Sequence, residues 1–231
     1  MLKLMRLEMR KYKLGVYIRS ALIANLIIFG FLCLISFVEK FEGEAIFTDY
    51  ATAFLLIDTI VRATFLVFAS VLMARIVIGE FNNKLITVLF MYPINRIKLM
   101  LSKLIIVVLF TFICMIVSNV LLYAAFYIFD SFADVVPAKL TASLIAQKAV
   151  WIPIDAALSS MIALIPLYFG MRKYSSATTI VSSFLLAIVV CQDTNGFSVF
   201  TSFISVAVLL AGVGVFLAFL SIRKIEHADV V

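Results

Sequence analysis

Histidine is almost absent from this chain of 231 residues: the only one is His227, near the C-terminal end. Catalytic triads and most zinc sites depend on imidazole groups, so the chain lacks the material for either. Its eight glycines form no P-loop, no GxGxxG run and no GxSxG run, which mark phosphate-binding loops and nucleophilic serines. We therefore expect no catalytic residues, no metal site and no cofactor bound by this chain.

Cysteine is also sparse. Cys33, Cys114 and Cys191 lie in or at the end of three separate apolar segments, with no CxxC pair and no accompanying histidine. This spacing suits neither a metal site nor a disulfide framework. We interpret the three residues as small apolar packing groups.

Charged residues make up only 14% of the chain, while apolar residues make up 65% and the mean hydropathy is +1.20. Soluble domains are nearer about 45–50% apolar and about 25% charged. Six apolar segments meet or approach the length of about 20 residues that a helix needs to cross a bilayer. The composition therefore predicts an all-α membrane protein with six transmembrane helices, at about 20–38, 56–78, 104–129, 149–169, 175–191 and 198–222.

The fifth predicted span, 175–191, is the weakest of the six. It is the shortest, and its first half is rich in hydroxyl side chains that we expect to bond to backbone carbonyl groups. If one of the six segments does not span, it is this one. The hydroxyl residues are Ser175, Ser176, Thr178, Thr179, Ser182 and Ser183.

Lysine and arginine are distributed unevenly among the segments that flank these spans. Fifteen lie before the first span, in 75–103, or after the fourth and sixth spans, and three lie in the other connections. Because short basic loops stay in the cytoplasm, both termini are predicted to be cytoplasmic. Orientation and anionic lipid headgroups account for the net charge of +6, so no nucleic-acid partner is expected. No connection could house a separate domain, so 1–231 is predicted to be a single transmembrane domain.

The first nineteen residues combine six basic side chains with an imperfect apolar stripe. This pattern favours an amphipathic helix over 1–19 that lies in the inner headgroup plane and turns near Gly15 into the first span. The alternative is a basic tail that serves only to orient the protein.

Besides Arg75, at the cytoplasmic end of the second span, three charged residues fall within predicted spans. Asp58 and Arg62 are spaced i, i+4 near the outer end of the second span, so they can pair on one helix face. We favour structural pairing or the lining of an outer vestibule over direct contact with a substrate. Asp155 follows Trp151 and Pro153 at the outer end of the fourth span, where it marks a boundary or a kinked helix start, or lines a pathway.

A few uncharged residues in the apolar segments are expected to pack helices together. Asn25, Asn119 and Gln147 are interpreted as interhelical hydrogen-bond sites, and Gly212 and Gly214 as points of close helix packing.

The segment 79–103 is the only long charged stretch between two membrane-length apolar runs. Glu80 and Lys84 can open a short helix, Pro93 would stop it, and Asn95 can cap a second helix that begins with Arg96. The exposed apolar residues of the first helix favour a docking surface over a solvated loop that only sets topology. Those residues are Leu85, Ile86, Leu89 and Phe90.

This order of residues resembles the membrane subunits (permeases) of type-2 ABC exporters. That family shows an acid, a basic turn, a leucine, a Pro-x-x-Arg run and a lysine that opens the third span, together with six spans and a basic N-terminal helix. The chain departs from the pattern at Asn82-Asn83 and in the short 192–197 connection. The matching residues are Glu80, Lys84-Leu85-Ile86-Thr87, Leu89, Pro93-Ile94-Asn95-Arg96 and Lys103.

The resemblance implies a permease subunit without ATPase activity of its own, in a bacterial plasma membrane. A separate cytoplasmic ABC ATP-binding subunit would use ATP and Mg²⁺, and a second permease, identical or related, would complete the pathway for an amphipathic or peptide cargo, such as an antimicrobial peptide. A non-transporting scaffold or sensor that binds a cytoplasmic partner is the main alternative, and a stand-alone channel or secondary transporter is another. By this resemblance, coupling and ATPase docking belong to Glu80, Lys84, Leu85, Pro93 and Arg96, with Arg10 and Lys13 seating the N-terminal helix.

Overall fold

The computed structural model describes residues 15–42, 47–79, 96–133, 135–138, 140–194, 197–198 and 204–226. Over these ranges the chain is helical except for short turns and one two-residue antiparallel strand pair, β1 and β2. This confirms the prediction of an all-α membrane protein. The elements are α1 (Gly15–Glu42), α2 (Tyr50–Met73, continued by a π-helix over Ala74–Ile78), α3 (Arg96–Ala133), α4 (Ala142–Ile162), α5 (Ile165–Lys173), α6 (Ser176–Val190), β1 (Asp193–Thr194), β2 (Phe197–Ser198) and α7 (Ile204–Glu226).

Five helical segments are long and apolar enough to cross a membrane. The sixth predicted span corresponds to α6, whose 15 residues reach only about 22 Å at 1.5 Å per residue. The hydrocarbon core of a bilayer is about 30 Å thick. The segment that falls short is therefore the one that the sequence marked as weakest. The five are Gly15–Glu39, Tyr50–Ile78, Ile97–Ala133, Ala142–Lys173 and Ile204–Arg223.

Two helices begin earlier than the sequence predicted. α2 starts at Tyr50 instead of residue 56, and α4 starts at Ala142 instead of residue 149. Hydropathy misses these first turns because they carry polar side chains, yet such residues are compatible with a helix. At the start of α2, the Asp49 N–H donates to Thr52 Oγ1 at 3.4 Å, a local contact that supports the first turn.

α2 lies at the centre of the bundle and packs against α3, α4 and α6, while α1 lies at the edge against α3. Two apolar cores surround α2. One lies around Leu72 and Ile76, near the Gly79 end, and the other lies around Phe54 and Ile57, toward the Tyr50 end. Because α2 contributes to both cores, a displacement of this helix would reach most of the bundle.

Glycine permits a close helix contact where α7 crosses α4. A Cβ atom on Gly214 would lie 2.4 Å from the carbonyl oxygen of Met161, whereas one on Gly212 would meet nothing within 4 Å. The predicted packing role therefore holds for Gly214 and not for Gly212.

The hydroxyl groups of α6 bond as the sequence predicted. Thr179 Oγ1 donates to the Ser175 carbonyl at 3.2 Å, and Ser182 Oγ donates to the Thr179 carbonyl at 2.9 Å. Ser183 Oγ also lies 2.7 Å from Ser70 Oγ of α2. These bonds keep polar groups satisfied in an apolar surrounding and tie the short helix to the central one.

The π-helix at the end of α2 meets a buried lysine from α3. Gly79 donates its N–H to the Ala74 carbonyl, five residues back, as a π-turn requires. Lys103 has no exposed surface, and its Nζ lies 3.4 Å from the Ile76 carbonyl oxygen. As predicted, the helix described from Arg96 onward leads through Lys103 into the third span. The ammonium group of Lys103 lies inside the protein.

Candidate functional site

Asp58, on the third turn of α2, contacts side chains from two other helices. Tyr123 Oη of α3 donates to Asp58 Oδ1, and Lys148 Nζ of α4 lies 2.6 Å from Asp58 Oδ2. The Tyr123 ring in turn stacks on Phe54, with ring centroids 4.1 Å apart. Both carboxylate oxygens of Asp58 therefore have partners, and the contacts join α2, α3 and α4.

Arg62 lies one helical turn further along α2 and pairs with Asp155 of α4. Its Nε donates to Asp155 Oδ1 at 3.1 Å, and its Nη2 lies 3.0 Å from the same oxygen. Only 5% of the Arg62 side chain and 13% of the Asp155 side chain is exposed. The contact is therefore largely buried, and as a hydrogen bond between two ionised groups it is stronger than one between neutral groups.

The prediction that Asp58 and Arg62 pair along one helix face was incomplete. In the structure each has a partner of opposite charge on α4, Lys148 for Asp58 and Asp155 for Arg62. Interhelical partners can approach closely because α4 begins early enough to bring Lys148 and Asp155 alongside α2. The i, i+4 spacing instead places the two pairs one above the other.

The Arg62–Asp155 pair lies deeper than the sequence indicated. Arg62 is twelve residues from the start of α2 at Tyr50, or about 18 Å along the helix axis. Asp155 is thirteen residues from the start of α4 at Ala142. The expectation that Asp155 marks the start of a helix is therefore wrong: it lies inside α4, two residues after Pro153.

The two ion pairs border a cavity of about 270 Å³. Its charged wall consists of Asp58, Arg62, Lys148 and Asp155, so the three sequence-predicted vestibule residues are brought together. Its other wall is mainly apolar and includes the only tryptophan of the chain. The remaining lining residues are Ala51, Leu55, Leu144, Gln147, Trp151, Ile152, Ile154, Leu158 and Ile204.

The charges around the cavity balance, with two carboxylates opposite one guanidinium and one ammonium group. A neutral set of paired charges avoids the cost of an isolated buried ion. It can also receive groups of both signs, since each pair offers one donor and one acceptor. Convergent polar groups on a mainly apolar wall are the usual composition of a ligand site.

Buried polar groups continue beyond the cavity toward the Gly79 end of the bundle. Asn119 lies one turn from Tyr123 on α3, and Ser159 lies one turn from Asp155 on α4. Neither the Asn119 amide nor the Ser159 hydroxyl has a hydrogen-bond partner among the described residues. The predicted interhelical bond is present for Asn25, whose Nδ2 donates to Ser118 Oγ at 2.9 Å, and the Asn119 bond is not found there.

Most residues assigned to coupling fall outside the described part of the chain. α3 is described from Arg96 onward, but the side chain of Arg96 is not described, and the predicted cap at Asn95 lies outside the described residues. The predicted interfacial helix is described only from Gly15 onward, as the start of α1. The assigned residues outside the described ranges are Arg10, Lys13, Glu80, Lys84, Leu85 and Pro93.

Sequence reasoning missed Lys148, Tyr123 and Trp151. Lys148 was counted as a loop residue because the predicted fourth span began one residue after it. A signal was nevertheless present: Lys148, Trp151 and Asp155 are spaced three and four residues apart, which places them on one helix face. Tyr123 had no comparable local signal.

The described ranges contain no group of three or more His, Cys, Asp or Glu side chains placed to hold a metal ion.

No family model matches this chain, and no solved structure matches it. It is 42% identical over 228 residues to "Uncharacterized protein YcbO" of Bacillus subtilis (strain 168). The match covers 99% of this chain and 100% of that protein. On this full-length similarity, the chain belongs to the same family as YcbO.

Proposed function

We propose that this protein is the membrane permease subunit of an ATP-driven exporter. In this proposal a separate cytoplasmic ABC subunit binds and hydrolyses ATP, and the permease moves an amphipathic or peptide cargo across a bacterial plasma membrane. In this proposal six helices cross the bilayer, and the short α6 crosses because it packs against neighbouring helices. Both termini are cytoplasmic, and a second permease completes the pathway. The residue order of 79–103 and the multi-pass bundle support this assignment.

The observation that carries the proposal is that α2 connects the segment 79–103, which we call the coupling loop, to the cavity. The helix ends at Gly79, where the loop begins, and bears Asp58 and Arg62 on the cavity wall. Gly79 and Arg62 are separated by seventeen residues, or about 25 Å of continuous helix. A movement of the loop would therefore be transmitted along one rigid element to two of the four charged cavity residues.

The residues assigned to docking have distinct roles in this mechanism. Glu80, Lys84 and Arg96 would form charged contacts with the ATP-binding subunit, and Leu85 would fill an apolar groove there. Pro93 would fix the bend between the two loop helices. Arg10 and Lys13 would hold the N-terminal helix against the same subunit.

Co-purification tests the proposal. The tagged chain is extracted from cross-linked native membranes, and the eluate is assayed for a Walker-motif ATPase and for ATP hydrolysis. We expect the ATPase to accompany the wild type and to be lost, or uncoupled, with Glu80→Ala/Arg96→Ala. The matched control, Arg172→Ala/Lys173→Ala, removes two basic residues from another predicted cytoplasmic segment and should retain the ATPase.

Two outcomes would contradict the export proposal. If the wild type elutes alone after cross-linking, no ATPase docks on it. If a cytoplasmic protein without a Walker motif elutes instead, the chain is a scaffold or sensor subunit that uses the same loop.

A secondary transporter is a second candidate, because of the Arg62–Asp155 pair. A secondary transporter needs ionisable residues near the middle of its spans. The structure places this pair well inside α2 and α4, beside a cavity, and membrane-embedded ionisable residues often mark ion or proton pathways. Transport that persists in ATP-depleted vesicles and follows an imposed proton gradient would favour this candidate.

A further inference from the structure

We propose that the cavity between α2 and α4 binds a zwitterionic amphiphile, namely a phospholipid with an ethanolamine headgroup. Its phosphate would contact Lys148, its ammonium group would contact Asp58, and the start of its acyl chain would lie on the apolar wall. This inference is independent of a partner ATPase, because it concerns only residues of this chain.

The charge balance of the cavity selects for a zwitterion. Its four charged side chains form two neutral pairs. A ligand with a net charge would leave an uncompensated charge in a site whose wall is mainly apolar, which is costly. A ligand with one anionic and one cationic group can exchange partners with the Asp58–Lys148 pair, and the total charge of the site stays at zero.

The two pairs differ in how readily they can open. The side chains of Lys148 and Asp58 are 20% and 18% exposed, against 5% and 13% for Arg62 and Asp155. The lysine also has a long, flexible side chain that can turn toward a phosphate. The outer pair therefore receives the headgroup, and the Arg62–Asp155 pair forms the fixed floor of the site.

The apolar wall suits the rest of the ligand. Trp151 lines the cavity close to the acidic groups, and an indole face attracts an ammonium ion. Leu55, Leu158 and Ile204 provide the surface for methylene groups. At about 270 Å³, the cavity is slightly smaller than typical ligand pockets of about 300–1,000 Å³. It would hold a headgroup and the first part of a chain, with the remainder in the bilayer.

The position of the cavity identifies the source of the ligand. Its walls come from α2, α4 and the first residue of α7, all in segments long and apolar enough to span a membrane. The surrounding bilayer supplies amphiphiles at high local concentration, so a membrane lipid is the occupant that we infer.

Trp151 allows a direct binding test, because it is the only tryptophan of the chain and lines the cavity. The full-length protein in dodecyl maltoside is titrated with palmitoyl lysophosphatidylethanolamine while tryptophan emission is recorded. We expect a saturable change, with at least about tenfold weaker binding of palmitoyl lysophosphatidylglycerol, which has the same chain and a net negative charge. Free glycerophosphoethanolamine, which keeps the neutral zwitterionic headgroup and lacks the chain, should bind weakly.

Any of three results in the wild type would overturn the proposal. The first is the absence of a saturable change with the ethanolamine lipid. The second is equal or tighter binding of palmitoyl lysophosphatidylglycerol. The third is equal binding of free glycerophosphoethanolamine, which would identify a soluble zwitterion as the ligand.

Two variants locate the site. Asp58→Asn/Lys148→Gln removes both charges of the outer pair with little change in volume, and it should weaken binding of the ethanolamine lipid about tenfold or more. Ala51→Phe places a bulky side chain in the wall of the cavity without altering a charge, and it should weaken binding about tenfold or more even if the first variant folds poorly. Lys173→Gln, an exposed position outside the cavity, is the control. Unchanged binding in both cavity variants would contradict the assignment.

Discussion

At the scale of single residues, the buried Arg62–Asp155 pair is the most consequential contact of the cavity. Removing one partner of such a pair leaves an uncompensated charge, which costs about 3–5 kcal/mol. We therefore expect Arg62→Leu to lower the unfolding midpoint of the protein in detergent strongly. The double variant Arg62→Leu/Asp155→Leu should recover most of that loss, since apolar replacement of a whole buried pair is often neutral.

The comparison requires both single variants and the double variant, measured as a thermodynamic cycle by circular dichroism. If the double variant is destabilised by the sum of the two single effects, the side chains do not interact, and the pair is not a structural unit.

The sequence identified Asp58, Arg62 and Asp155 as unusual at this scale, because a charged side chain in an apolar segment is conspicuous. It did not identify their partners. Tyr123 and Lys148 lie 65 and 90 residues from Asp58, and such contacts depend on how helices pack. Only pairs within one helix can be inferred from spacing.

At the scale of elements, the contact between α4 and α7 depends on one glycine. Gly214→Ala would place a Cβ atom 2.4 Å from the Met161 carbonyl oxygen, and backbone cannot move aside as a flexible side chain can. We expect a destabilisation of about 1–3 kcal/mol, the usual cost of overpacking. Gly212→Ala, two residues away on the same helix, should be neutral, because a Cβ there meets nothing within 4 Å.

Thermal unfolding in the same detergent would test this difference. Equal stability of the Gly212→Ala and Gly214→Ala variants would show that the helices do not approach as closely as the structure indicates.

The π-helix provides a second element-scale prediction. Lys103→Met removes the ammonium group that approaches the Ile76 carbonyl oxygen, so the turn over Ala74–Ile78 should open more readily. We expect faster amide hydrogen exchange in peptides that cover 74–79, because the Ile76 carbonyl loses one hydrogen bond, which contributes about 0.5–1.5 kcal/mol.

Lys98→Met is the matched control, since Lys98 is an exposed lysine on the same helix. If both variants exchange at the wild-type rate, Lys103 does not stabilise the π-turn.

The existence of these elements could be predicted from the sequence better than their limits. Long apolar runs mark a helix reliably, whereas the first turns of α2 and α4 carry polar residues that lower the local hydropathy. Polar residues further along these helices are stabilised by partners on other helices, such as Lys148 for Asp58. A window of hydropathy cannot detect that compensation.

At the scale of the whole molecule, the sequence predicted a multi-pass membrane protein correctly, because composition alone determines that class. The number of crossings depends on α6. If α6 crosses the bilayer, the residues before and after it lie on opposite sides of the membrane.

Cysteine labelling in intact cells would settle this point. In a variant whose native cysteines are replaced, we expect Thr48→Cys and Gln192→Cys to react with a membrane-impermeant thiol reagent. Lys173→Cys should react only after permeabilisation, because its segment is predicted to be cytoplasmic. All three positions are exposed. Labelling of Gln192→Cys only after permeabilisation would show that α6 does not cross and that the protein has five spans.

The π-turn at the end of α2 also rotates the last residues of this helix relative to its cavity face. A π-turn accommodates one more residue than an α-turn, and each residue of an α-helix advances the backbone by about 100° around its axis. Gly79 is therefore out of angular phase with the cavity face of α2 by about that amount. Deletion of a single residue within Ala74–Ile78 would rotate Gly79 about the helix axis by more than a quarter of a turn, even if every other contact of α2 were retained.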